Sequence, residues 1–140
     1  MTTKQLTALC LAPALVGLLF AAAAAARPAE KAGPHLSHAV FFTLKDRSTA
    51  ARDKFVASCQ KYLTNHEGTV SFSLGTIADD VEEPGVSVRD FDVALLVVFE
   101  SKEAEAKYLK AERHLAFVDE NKADFAKVRV FDSYLTPSKR

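Results

Sequence analysis

The sequence predicts an α+β domain, with one antiparallel four-stranded sheet carrying helices on a single face, preceded by an export segment. Three observations lead there. Four stretches between residues 38 and 134 run or alternate in β-branched and aromatic residues. The intervening stretches repeat apolar side chains at helical spacing. The first 26 residues hold an uncharged run closed by six alanines.

The N-terminal run extends from Gln5 to Ala26, behind Lys4, through Leu11, Leu15, Val16, Leu18, Leu19 and Phe20 into Ala21–Ala26. Small residues before the cut suit signal peptidase, and Pro28 ends any helix just beyond it. Alanine contributes little to membrane insertion, so residues 1–26 read as a removable signal peptide rather than an anchor. Cys10 follows Leu9 too early in the run for a lipoprotein. The expected protein is therefore exported, periplasmic or secreted, with no stable membrane association after cleavage. Lys4 is the one charged residue removed, so 17 of the 18 basic residues remain against 18 acidic ones, about −1. Such a balance excludes nucleic-acid binding driven by phosphate neutralisation. Of two cysteines only Cys59 survives, so no intramolecular disulfide is available and stability must come from the core.

Residues 27–35, with two prolines and a glycine, form a linker. His38–Leu44 is the first strand, with His38, Val40, Phe42 and Leu44 on one face. Ser48 or Thr49 caps a helix running to about Thr64 on Ala51, Phe55, Cys59 and Tyr62 or Leu63. Asn65–Gly68 stops it. Thr69–Ile77 is the second strand. The acidic segment Asp79–Asp90, containing Pro84-Gly85, is an exposed loop. Phe91–Phe99 is the strongest strand, uninterruptedly apolar from Val93 and so expected to be buried on both faces. Ser101 caps the next helix, with Glu103 and Lys107 spaced as an ion pair. A further helical piece covers about Glu112–Phe125. Val128–Tyr134 closes the sheet, with Val128, Val130 and Asp132 opposite Arg129, Phe131 and Ser133.

This β-α-β-β-α-β order is the ferredoxin-like arrangement. Helices of the same chain cover one sheet face only, so the doubly apolar third strand predicts a homodimeric α/β barrel. The domain spans residues 36–135, with 136–140 as a tail.

Four segments in this order resemble the stress-response A/B barrel (Dabb) family: His38–Asp46, Phe91–Ser101, Tyr108 with His114-Leu-Ala-Phe-Val118, and Val130-Phe-Asp132. The resemblance covers about residues 36–135. It implies a dimeric barrel with a cavity between sheet and helices. In a plant polyketide cyclase of the family, the catalytic His and Tyr fall on His114 and Tyr108, the first-strand His on His38, and a further pocket His on Val93. The family's usual His-Pro before the second His is replaced here by Ala111 and Glu112.

The resemblance makes His114 and Tyr108 the candidate acid–base pair and His38 and Val93 candidate pocket residues, to which Phe55 and Cys59 are added from the apolar face of the first helix. An imidazole can move a proton near neutral pH, and a phenol can polarise a carbonyl. Six residues along a regular helix set Tyr108 and His114 on different faces, so they meet only if the helix breaks near Ala111–Arg113. His66 belongs to a turn, and the four histidines show no metal-ligand spacing. No glycine-rich phosphate loop or nucleophile elbow is present, so no cofactor or metal is expected. Three functions follow: a binder of a small apolar or aromatic molecule, a cofactor-independent lyase, cyclase or monooxygenase-like enzyme, and a structural stress protein without ligand.

Overall fold

The computed structural model describes residues 33–81 and 83–136. The expected signal peptide, most of the linker and the end of the tail lie outside the described residues. The elements are β1 (Leu36–Leu44), α1 (Thr49–Leu63), β2 (Thr69–Thr76), β3 (Val93–Phe99), α2 (Lys102–Lys110), α3 (Glu112–Asn121), a 3-10 turn (Lys122–Asp124) and β4 (Phe125–Tyr134). The antiparallel sheet has the order β2-β3-β1-β4. With its helices on one face, this is the ferredoxin-like α+β fold predicted from the element order.

Residue parity decides which side chains enter the core. Val40, Phe42 and Leu44 of β1 and Val93, Leu95, Val97 and Phe99 of β3 are buried under the helices, together with Phe55, Cys59 and Leu63 of α1. Ser48 caps α1 by accepting the Ala51 N–H at 3.2 Å. Asn65, in the left-handed conformation at φ 56°, turns the chain out of that helix. Gly68 then passes so close to α2 that a Cβ there would lie 2.5 Å from the Ala104 Cβ, and its φ of +77° also favours glycine.

Two local expectations change. The last helical piece ends at Asn121, and Phe125 opens β4, because its ring joins Phe42 and Phe55 at centroid distances of 5.4 and 5.6 Å. Lys107 pairs with Glu67 at 3.7 Å rather than with Glu103, which meets Lys102 at 3.9 Å. As the element order predicts, nothing among the described residues covers the outer face of β3. Leu96 is 41% exposed there, and Phe131 of β4, across β1 from it, 54%, while Ala94 and Val98 are half-buried.

A buried carboxylate ties the start of the helical layer to the sheet. Asp92 is fully buried, accepts the Leu44 N–H at 2.9 Å, and meets Arg47 at 2.9 Å and Arg52 at 3.0 Å. Burial alone would raise its pKa. The Leu44 N–H and the two guanidiniums outweigh burial and hold the carboxyl below its ordinary range.

Candidate functional site

The site forms where α2 gives way to α3. A continuous helix would set Tyr108 and Phe117, nine residues apart, on opposite sides, about 180° around the axis. Both are buried, so the chain must break between them. It does so at Ala111, whose backbone is extended (φ −62°, ψ 139°) and which ends α2 and starts α3. Its N–H donates to the Tyr108 carbonyl at 3.1 Å, and its own carbonyl accepts the Leu115 N–H at 3.0 Å. No proline is needed, because packing of two aromatic rings on one core imposes the turn.

The break brings Tyr108 and His114 together, with ring centroids 4.7 Å apart. Tyr108 also lies 6.1 Å from the His38 ring, 5.0 Å from Phe99 and 4.8 Å from His66. His66, which sequence placed in a turn, is thus part of the same cluster. Its Nε2 is 2.8 Å from the Tyr62 carbonyl.

The side chains of His38, Tyr108 and His114 line one cleft of about 350 Å3 between β1, β4 and the α2–α3 corner. Its other walls are apolar, including Val40, Leu95, Phe117, Val128 and Val130, and Lys122 reaches it from the 3-10 turn. Val128 and Val130 are 41% and 48% exposed, so the cleft opens along the β4 side. Of the candidate pocket residues only His38 is on its wall. Phe55, Cys59 and Val93 are packed into the core below it, Phe55 against Phe42 at 4.9 Å and Phe117 at 5.7 Å.

Burial sets the protonation states. The Tyr108 hydroxyl is pushed well above the ordinary phenol range, first by burial and then by Cys59, so it remains a proton-bearing donor. Burial also lifts the Cys59 thiol to about 12, which leaves it inert. His114 is held below the ordinary imidazole range by burial, then by His38 and His66, against the opposing pull of the Leu109 backbone, and among the described residues its Nδ1 is buried without a hydrogen-bond partner. A neutral imidazole with a free ring nitrogen beside a protonated phenol is an acceptor–donor pair.

Behind His38 stands a second group that sequence spacing did not disclose. Its Nδ1 lies 2.7 Å from an Asp132 carboxylate oxygen and 3.2 Å from one of Glu105. His38 and Asp132 are directly paired across β1 and β4. Glu105 precedes Tyr108 by three residues, which puts both on one face of α2. Burial, followed by the neighbouring Asp132, raises the Glu105 pKa, against the attraction of His38. Strand parity had placed Asp132 beside Val130. The signal that was available for Glu105 is its position one turn before Tyr108.

No functionally curated protein matches the sequence. Solved structures share the fold. A Dabb-family protein with a ferredoxin-like fold from Mesorhizobium loti is 22% identical, with a TM-score of 0.62 over 75% of this chain and all of that one. A dimeric ferredoxin-like protein from Thermobifida fusca is 14% identical, with a TM-score of 0.59 over 74% of this chain and 92% of the other. A hydroxynitrile lyase from Passiflora edulis is 18% identical, with a TM-score of 0.59 over 76% and 98%. The sequence itself goes further than fold, since residues 36–135, nearly all of the region that carries the sheet, the helices and the cleft, match a family profile. The chain belongs to the Stress responsive A/B Barrel Domain family.

Proposed function

We propose that this protein is an exported, homodimeric small-molecule binder whose ligand occupies the cleft between the sheet and the α2–α3 corner. The observation that carries this reading is the convergence of His38, Tyr108 and His114 on one otherwise apolar cleft of about 350 Å3. The ligand class that fits is a small apolar or aromatic molecule with one carbonyl or hydroxyl group, the polar end meeting Tyr108 and His114. Native mass spectrometry of the purified protein tests it. A retained small molecule, lost in His114→Ala, is the expected result, and a ligand-free spectrum together with no binding across a panel of aromatic carbonyl compounds overturns it in favour of a structural role.

Dimerisation rests on the outer sheet face, where Ala39, Phe41, Ala94, Leu96, Val98 and Phe131 present apolar surface that no other described residue covers. Sedimentation as a monomer at micromolar concentration defeats this part of the reading. Export rests on residues 1–26, and the N-terminus of the exported protein is expected at Arg27 or a few residues before it.

A second reading, acid–base catalysis without a cofactor, is favoured by the unpartnered Nδ1 of His114 beside Tyr108. In it, His114 accepts a proton from the substrate while the Tyr108 hydroxyl donates a hydrogen bond to the oxygen on which charge develops. A cyanohydrin and an aldol donor are suitable first substrates. For any substrate that is turned over, His114→Ala should lower kcat by about 100-fold or more. Undiminished turnover removes the role.

A further inference from the structure

The cluster behind His38 is uncompensated in a way that hydrogen bonding does not repair. Two carboxylates, Glu105 and Asp132, converge on one imidazole nitrogen, and among the described residues neither is paired with a lysine or arginine. The His38 side chain is only 7% exposed and that of Glu105 15%, so water does little to spread the charge. The Asp132 side chain, 47% exposed, leaves the group open to solvent on one side.

We propose that His38, Glu105 and Asp132 form a binding site for a divalent transition-metal ion of the zinc type. One ligand atom from each residue lies within 4.8 Å of the others, with Nδ1 at 2.7 and 3.2 Å from the two oxygens. Three donors each about 2.1 Å from a zinc ion stand roughly 3.0–3.5 Å apart. The site therefore needs only a small opening between His38 and Asp132 and an approach of the two carboxylates. Both carboxylates sit on side chains with freedom to adjust. One imidazole with two carboxylates and no sulfur suits Zn2+, Co2+ or Mn2+ better than a soft ion, and the exposed Asp132 marks the entry path. Three protein ligands leave a coordination position open towards solvent. The donors come from β1, α2 and β4, which is why no ligand spacing is visible along the chain.

The donor set shares His38 with the wall of the ligand cleft but is tested apart from it. His114 is outside the donor set, so a His114→Ala variant keeps the ion whether or not the cleft binds a small molecule. The test is titration of the untagged, chelator-stripped chain with Zn2+ by calorimetry and with Co2+ by visible absorption. The expected result is one ion per chain, with Kd in the micromolar range or tighter, d–d bands from Co2+, and a rise in Tm on adding Zn2+. Glu105→Gln and Asp132→Asn, each size-conserving, should weaken binding at least tenfold while far-UV circular dichroism is unchanged. Absence of stoichiometric binding by the folded wild-type chain overturns the proposal. So does binding that both variants leave intact, since the ion would then sit elsewhere.

Discussion

Two buried charge clusters at opposite ends of β1 are built on contrary plans. Near Leu44, one carboxylate, Asp92, is met by a backbone N–H and two guanidiniums. Near Leu36, two carboxylates, Glu105 and Asp132, share one imidazole. The first is compensated and links β3, β1 and the start of α1, so its role is structural. The second carries surplus negative charge against the wall of an apolar cleft, and such surplus is retained where a ligand supplies the missing charge. The difference teaches that burial of charge alone does not mark a site; the balance of its partners does.

The largest effect expected from this contrast is on stability. Asp92→Asn leaves Arg52, whose side chain is only 19% exposed, with the exposed Asp79 at 3.4 Å as its remaining carboxylate, and should cost about 3 kcal/mol in urea unfolding. Because the Asp92 pKa is depressed in the folded state, its contribution is fully present above the unfolded carboxyl value of about 4 and is lost as pH falls through the folded value. An acid unfolding curve that does not change in the variant would break the structural reading of this cluster.

A mid-sized effect concerns His114. Its folded pKa is lowered, so unfolding takes up a proton below the unfolded imidazole value of about 6.5, and stability falls as pH drops from there. His114→Gln should flatten the stability–pH profile between that value and the lower folded one by a fraction of a proton. Proton acceptance by His114 should be constant at pH 7 and decline on the acid side only.

The smallest effect sharpens the comparison most. The Glu105 pKa is raised, so its ionised form costs stability above the unfolded carboxyl value, the opposite sign to Asp92. In metal-free buffer at neutral pH, Glu105→Gln should be neutral or stabilising by roughly 1 kcal/mol. Marked destabilisation would place Glu105 with Asp92 as a structural group.

Much of this was legible in the sequence for a local reason. Alternation along β1 and β4 grouped His38 with Val40 and Asp132 with Val130 on one face of each strand, and Ser101, with Ser48 or Thr49, announced the caps of α2 and α1. The candidate site was legible only as residue types. Tyr108 and His114 stood out, yet without a proline nothing local brings them together. Phe55 and Cys59 looked like cleft residues because apolar periodicity marks burial without distinguishing a filled core from a cavity wall, and Val93 because a relative's pocket residue falls on it. Glu105 was hidden because an acidic residue in the first turn of a helix reads as a favourable dipole partner.

By itself, the sequence determined the elements, their order, the inward faces and the family, all of which follow from short-range periodicity and from matches along the chain. Only the tertiary structure decided the turn at Ala111, the shape of the cleft and the meeting of His38 with Glu105 and Asp132. Those depend on how rings and charges from separate elements share one volume, and spacing along the chain does not encode that.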